Sequence, residues 1–578
     1  MYTSFKISKN LNTLTYLTLS AALFYSCSQR VAQVAVAPKV AQADTTTMVA
    51  ELPAKPVGID STAFNKAGAA TLAKAAQFYR QHGFQSQWLF DTKPSPLFAA
   101  LEATLNDAGK FGLRASDYDV QGIQEKVKIL YSEKAVDRKA LATLDVYITE
   151  MLFHFTTHLS TGKITEVVSG RSIWMPGQRT LSSADVALMS KVQTPADFTT
   201  AIQQIQPANE QYGKLQQALA YYRALEKNTP AAIDIVKGTK VKLDDHNAIV
   251  PSVRKKLSLT DMRPYAMTLD SLTGTFDSLR YDATLVDAVK MFQAKHGLEP
   301  DGVIGEKTLR FMNQSFKDKA DVIALNMERM RWSTEKYGDN YIFVNVPAYT
   351  LTVYENRKPA LQMRVIVGAV DKPTPIFSDA LEYIVFSPTW TVPTSIIKEE
   401  IIPRLKSNTA YYADKNYAFY KDEVPIDPTT EVWDDTANPY KYRIVQQPGP
   451  DNSLGLVKFI MPNNMSVYLH DTPNHRLFTK DYRALSHGCV RVDEPAKLAA
   501  YLMRDQKGWD TKRIQEAMHA TQPATIHLKK KLDVHIEYIT AWVDENDTIN
   551  FREDIYGHDK RQLQQLYPKD KAGAIAGL

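Results

Sequence analysis

Cysteine is nearly absent: 578 residues hold only Cys27 and Cys489. If the first is taken by the membrane chemistry described below, the second has no disulfide partner, and it stands as a free thiol. Stability must then come from apolar cores, for which a hydrophobic content of 44% suffices. Long basic runs are missing as well. The formal charge of +5, from 69 basic and 64 acidic residues, names no partner and lacks the electrostatic footprint of a nucleic-acid binder. The apolar stretch from Leu11 to Tyr25 is too short to span a bilayer comfortably. At roughly 100–200 residues per domain the length allows about three or four domains.

Lys6 and Lys9 precede that stretch as they would in an export signal. Ser26-Cys27-Ser28 follows it, a small residue before a cysteine, as in a bacterial lipoprotein cleavage site. The expectation is a periplasmic protein, lipidated and membrane-anchored at Cys27. Phe24 and Tyr25 depart from the usual pattern, so plain signal cleavage or an uncleaved anchor are the alternatives.

After this 1–27 segment, residues 28–60 read as a linker, rich in Ala, Val, Thr and Pro without sustained period. Residues 61–236 read as a helical scaffold, as in Leu141, Leu144, Val146, Ile148, Leu152 and Phe153, with polar residues expected on solvated faces. In 237–316 an amphipathic helix from Asp282 to Gln293 precedes Gly297-Leu298 and Asp301-Gly302. That order resembles the peptidoglycan-binding domain type 1, with a purely structural bundle as the alternative. From Tyr341 the period changes to two: Ile342, Val344 and Val346, then Leu351–Tyr354, Leu361–Gly368 and Tyr383–Phe386 read as strands of a β-rich domain over 317–560. An irregular insertion at 398–456 reads as a cap, and 561–578 as a C-terminal tail. The fold class expected is multidomain α+β.

The chemistry centres on Ser486-His487-Gly488-Cys489, whose cysteine lies nineteen positions after His470. Met465–Leu469 reads as a strand delivering His470, and Asp493 as the cap of a helix running from Glu494 to Met503. A thiol attacks as its thiolate, which an imidazole and electropositive surroundings favour. His470 is the best base, since imidazole can take a proton and return it to a leaving amine. Gly488 lets the backbone approach a substrate, and amides around Gly488 and Cys489 suit an oxyanion. His487 could be base, orienting group or structural donor. Two blander readings compete: an inert buried cysteine, and a zinc site of His470, His475, His487 and Cys489, which lacks paired ligand spacing. A papain-like arrangement is disfavoured because there the cysteine precedes its histidine by a long interval.

His470-Asp471-Thr472 and, fifteen intervening residues after His470, Ser486-His487-Gly488-Cys489-Val490-Arg491 resemble the L,D-transpeptidase signature. Asn326–Trp332, Arg364–Gly368, Pro373-Thr374-Pro375 and Ser387–Pro393 look like the larger periplasmic members, which combine scaffold, peptidoglycan-binding and capped catalytic domains. The resemblance implies that Cys489 attacks the third-position diamino acid of a tetrapeptide stem and expels D-Ala. The resulting thioester is then resolved by an amine of a neighbouring stem, without metal or cofactor. It makes Cys489 the nucleophile and His470 the base, with His487 and Gly488 completing the site. Arg491 would hold a substrate carboxylate or anchor its loop. Ser486, Tyr468 and Trp390 are further substrate-binding candidates, the two aromatics having core burial as their alternative. Asp471 stands where Gly is common, so the backbone beside the base is expected to differ. Resolution by water would make an L,D-carboxypeptidase, and loss of catalysis a wall-anchoring lipoprotein. Carbapenems, presenting a strained carbonyl to the same thiol, are expected to acylate Cys489.

Overall fold

The computed structural model describes residues 54–64, 70–133, 135–164, 183–261, 277–332, 337–413, 415–434 and 437–568. The export segment, Cys27 and most of the expected linker lie outside them. Among the described residues no helix is long and apolar enough to cross a membrane.

In the first body β1 (Pro56–Gly58) pairs antiparallel with β2 (Gln85–Phe90), α1 (Ala70–Gln81) lies between them in sequence, and α2 (Arg138–Thr161) forms the axis. Asp137 caps α2 through the Lys139 and Ala140 amides. Leu141, Leu144, Ile148, Leu152, Phe155 and Leu159 recur along it at three- and four-residue spacing and are buried. The expectation that polar residues here face solvent fails at Asp145, which is fully buried. Its carboxylate accepts the amides of Gln87, Trp88 and Leu89 at 3.0, 2.9 and 2.7 Å and the Tyr79 hydroxyl at 2.5 Å. The strand beside α2 presents donors that only a buried acceptor can satisfy. The last helix of the expected scaffold, α3 (Glu210–Leu225), packs elsewhere: Tyr212, Leu215, Leu219 and Tyr222 share a core with Phe316, Ile323, Met327, Val543 and Phe551.

The small bundle joins the short strands β3 (Lys240–Val241) and β4 (Ile304–Gly305) to α4 (Val250–Asp261), α5 (Ala283–Lys295) and α6 (Glu306–Met312). Its sequence pattern is internal stitching. Asp282 caps α5 at Leu285, Gln293 donates to Asp301 Oδ1 at 2.8 Å and accepts from Gly302 N at 2.8 Å, and Tyr281 donates to Gly302 O at 2.7 Å.

Helix α7 (Phe316–Trp332) ties the bodies together with buried charge. Glu328 accepts the amides of Lys163 and Ile164, which follow α2, at 2.6 and 2.8 Å, and pairs with Arg331 at 3.0 Å with both side chains fully buried. Arg331 donates to Tyr212 and Phe111 O. Arg329 pairs with Asp559 at 2.6 Å and donates to Gln562. Removing one partner from such a network strands a buried charge, at a cost of roughly 3–5 kcal/mol.

The β-rich body is one nine-stranded sheet. Its strands are β5 (Tyr341–Asn345), β6 (Thr350–Glu355), β7 (Lys358–Gly368), β8 (Phe377–Phe386), β13 (Val457–Ile460), β14 (Leu469–His470), β15 (Ala484–Ser486), β16 (Val490–Val492) and β17 (Ala524–Glu537). They lie in the order β15-β7-β16-β14-β13-β8-β17-β5-β6, and β6 also pairs with β7, closing the sheet around an apolar core. Beyond β16 run α9 (Pro495–Met503) and α10 (Thr511–Met518), and beyond β17 run β18 (Ala541–Val543), β19 (Ile549–Phe551) and α11 (His558–Leu566), which crosses the expected start of the tail.

Between β8 and β13 sits the cap. It begins earlier than expected, at β9 (Trp390–Thr391), and continues through a helical stretch, Thr394–Ser407, whose end is α8 (Ile402–Ser407), into β10 (Tyr417–Lys421), β11 (Val424–Ile426) and β12 (Tyr442–Gln446). β9 returns to pair with β12, Trp390 opposite Gln446, so both ends of the insertion meet. Asn452 staples that neck, donating to Pro388 O at 3.0 Å and accepting from Leu454 N at 2.8 Å. The cap has its own core, including Val392, Ile397, Leu405, Phe419, Trp433 and Ile444.

Candidate active site

Strand β7 is the spine of the site. β15 runs parallel to it on one side, with Ser486 opposite Gly368, and β16 runs antiparallel on the other, with Arg491 opposite Ile366. Residues 487–489 therefore cross the end of β7 between two strands that both pair with it. Gly488 makes that crossing at φ +116°, yet a Cβ there would meet nothing nearer than Pro373 O at 3.8 Å. The backbone conformation by itself favours glycine at 488. The crowded position is Gly368, where a Cβ would lie 2.2 Å from Lys372 O.

Thr374 pins the crossing. Gly368 N donates to its hydroxyl at 2.8 Å, and the hydroxyl donates to Gly488 O at 2.8 Å. Tyr556 donates to Gly368 O at 2.6 Å and accepts from Thr374 N at 3.2 Å. Ser486, expected to bind substrate, is buried instead, its hydroxyl donating to Cys489 O at 2.5 Å and accepting from Gly488 N at 3.2 Å. The Gly488 amide is thus engaged, whereas among the described residues no hydrogen bond to Cys489 N is found.

Cys489 is half-buried, its Sγ 3.7 Å from Ser466 O. Burial pushes the thiol above its ordinary range, opposed by Tyr468, whose backbone and hydroxyl both act on the sulfur, and by the Arg491 guanidinium. Tyr468 precedes β14 in a loop and not in the longer strand expected. Asn463 organises that loop, its side-chain carbonyl accepting from Met465 N at 3.0 Å and Val467 N at 3.2 Å.

His470 lies on β14 opposite Arg491, its ring 5.6 Å from that of Tyr468. It is buried, and Nδ1 sits 2.6 Å from Asp471 O. A carbonyl only accepts, so Nδ1 carries the proton, and the Leu454 carbonyl also acts on the ring. Burial first, then the Arg491 charge, hold its pKa down to about 3, so it is neutral at physiological pH. No hydrogen bond joins the imidazole to Cys489 Sγ in this structure. The departure at Asp471 has a structural use: its buried side chain accepts from Leu456 N at 2.8 Å and Thr472 N at 2.7 Å, anchoring β14 to the start of β13.

His487 points to the cap, hydrogen-bonded to Glu400 within the π-helical turn Ile397–Ile401. Lys372 pairs with Glu399 at 2.8 Å beside it. Arg491 is half-buried with its Nε unpartnered, and burial lowers its pKa. Trp390 belongs to the cap's sheet and packs on the cap core. Among the described residues no three His, Cys, Asp or Glu side chains are placed to hold a metal ion. Thr374, Tyr556 and Glu400 carried no chemical signal in sequence. Thr374 stood inside Pro373-Thr374-Pro375, and Glu400 lies 87 positions from His487.

The thiol is thus held on a turn between two strands, beside a neutral histidine and below the cap that His487 contacts. Residues 339–515 match the family model described as L,D-transpeptidase catalytic domain, 73–219 the scaffold domain, and 267–312 the model described as "Putative peptidoglycan binding domain". The chain therefore carries an L,D-transpeptidase catalytic domain together with a scaffold domain and a peptidoglycan-binding domain. Over 240 residues it is 35% identical to a "Putative L,D-transpeptidase" of Haemophilus influenzae, spanning 41% of this chain and 48% of that protein, about half its length. Similar solved structures include an L,D-transpeptidase from Stackebrandtia nassauensis (14% identity, 51% of this chain and 94% of that chain, TM-score 0.20) and one from Mycobacterium smegmatis (12%, 34% and 58%, 0.18).

Proposed function

We propose that the protein is an L,D-transpeptidase that cross-links peptidoglycan stems through their third-position diamino acids, acting as an exported enzyme on the cell wall. The observation that carries this is the placement of Cys489 on the strand-to-strand crossing, with no bond to its own amide among the described residues and a neutral, Nδ1-protonated His470 on the neighbouring strand opposite Arg491.

With the thiol pKa raised and the imidazole pKa lowered, the resting pair is neutral. Binding of a tetrapeptide donor brings the scissile carbonyl to Sγ, and catalytic hydrogen bonds that are absent in the free enzyme form at that stage. Sγ attacks the carbonyl carbon as its proton passes to His470 Nε2. Negative charge develops on the carbonyl oxygen, where Cys489 N–H and the Tyr468 hydroxyl stabilise it. The intermediate collapses by breaking the C–N bond, His470 returns its proton to the departing amine, and D-Ala leaves a thioester on Cys489. The side-chain amine of a second stem attacks that thioester and loses a proton to His470; the C–S bond breaks as the new amide forms, and His470 returns the proton to the departing sulfur. Arg491, with an unsatisfied Nε beside the thiol, binds a carboxylate of the donor.

The cap, held down by His487–Glu400 and Lys372–Glu399, shields the thioester from water, which supports transpeptidation over hydrolysis. The bundle of 237–316 is assigned to holding glycan near the catalytic body, and Cys27 to a lipid anchor. Intact-mass spectrometry with a disaccharide-tetrapeptide tests the covalent step. The expected species is enzyme carrying the disaccharide-tripeptide acyl group, absent in Cys489→Ala; a wild-type enzyme that never gains this mass contradicts the reading. A carbapenem should add its full mass to the same residue, its strained amide opening onto Sγ.

A further inference from the structure

On the catalytic face, three side chains stand in one row across neighbouring strands. Lys458 on β13 is directly opposite His470 on β14, and His470 is directly opposite Arg491 on β16. Directly paired residues share a face, and strands are spaced about 4.8 Å apart. Lys458 therefore flanks the imidazole on one side while Arg491 and, two residues before it, Cys489 flank it on the other. The Lys458 ammonium lies 5.9 Å from the centre of the Tyr468 ring, which packs against the thiol. Lys458 is half-buried, and among the described residues no carboxylate lies within ion-pair distance of it or of Arg491. Burial without an anion lowers its pKa, so a carboxylate arriving there would relieve an existing penalty.

The chemistry of the leaving group says which carboxylate that would be. His470 must reach the departing amine to protonate it, so the amine nitrogen lies at the imidazole. In a terminal amino acid, one carbon separates amine from carboxyl, which puts the carboxylate oxygens about 3–4 Å from that nitrogen. Arg491 stands on the strand that directly follows the nucleophile, across β14 from Lys458. Lys458 is the cation on the opposite side.

We propose that Lys458 binds the terminal carboxylate of the departing residue, making the enzyme selective for donors that end one residue beyond the scissile carbonyl. This rests on the donor chemistry proposed above. Lys458 is then a specificity determinant, distinct from the base beside it.

The test compares kcat/KM for a disaccharide-tetrapeptide and for the same donor ending in a carboxamide, in wild type, Lys458→Met and Lys458→Arg. Wild type should prefer the free acid by roughly 10- to 100-fold, the worth of one charged hydrogen bond. Lys458→Met should lose that factor on the acid while leaving the amide within about twofold, and Lys458→Arg should recover most of it. A wild type that consumes acid and amide equally overturns the proposal, as does a Met variant that falls by the same factor on both, which would mark a general effect on His470 or on folding. A wild type that forms no acyl-enzyme from either donor overturns the parent reading and this proposal with it.

Discussion

The Thr374 hydroxyl donates to the carbonyl of Gly488 at 2.8 Å, so a residue 114 positions upstream holds the backbone immediately before the nucleophile. The same oxygen accepts from Gly368 N at 2.8 Å. Thr374→Val keeps the shape and removes both bonds, leaving a buried amide and carbonyl unpaired at about 1–3 kcal/mol each. The expected result is a lower unfolding midpoint and a fall in kcat of roughly 10- to 100-fold, as misplacement of a reacting group costs. Thr374→Ser, which keeps the hydroxyl, should recover most of the rate.

Gly488→Ala separates conformation from space. The pocket accepts a Cβ, with the nearest atom at 3.8 Å, but φ is +116°. The strain expected is of order 1–3 kcal/mol. Acylation by donor should slow at least tenfold while the unfolding midpoint moves only a few degrees; unchanged acylation would show that the crossing can re-form without glycine.

The cap is fastened by His487 to Glu400 and by Lys372 to Glu399. Exposed pairs contribute about 0–1 kcal/mol, so the latch should open and close readily. Glu400→Gln should raise amide exchange in 394–407 and increase the fraction of thioester lost to water, seen as more tripeptide relative to dimer. An unchanged product ratio would remove this contact from the control of hydrolysis.

The pH dependence follows from a lowered imidazole and a raised thiol. The active His470 is the neutral form, and with a pKa of about 3 it is lost only on strong acidification, so kcat/KM should stay flat from pH 5 to 8. Cys489, held protonated by burial, reacts with iodoacetamide through its thiolate, so the alkylation rate should keep rising through pH 9. A plateau near neutrality would instead reveal a thiolate–imidazolium pair.

The chemical residues were legible because their types are rare: one thiol in the body of the chain, with histidines close by. Their arrangement was not, since β14, β15 and β16 are two or three residues long and carry no readable period. Helix α9 shows how distance overrides local preference. Asp493 was the expected cap, but Arg364 takes its carboxylate through two contacts of 2.8 Å, and Glu494 occupies the cap position without a side-chain bond. In β17 the apolar alternation is hard to read because Lys529, Lys530 and Lys531 interrupt it on an exposed stretch. Asp145 and Glu328 look like surface charges in sequence and are buried because backbone amides from other segments converge on them.

The central claim is that Cys489 transfers a stem peptide to an amine. Incubation of the protein with a disaccharide-tetrapeptide, followed by mass spectrometry of the soluble products, tests it most directly. The account predicts a cross-linked dimer that has lost one D-Ala, absent with Cys489→Ala. Tripeptide without dimer would contradict transpeptidation in favour of hydrolysis, and unchanged tetrapeptide would contradict the acyl-transfer chemistry itself.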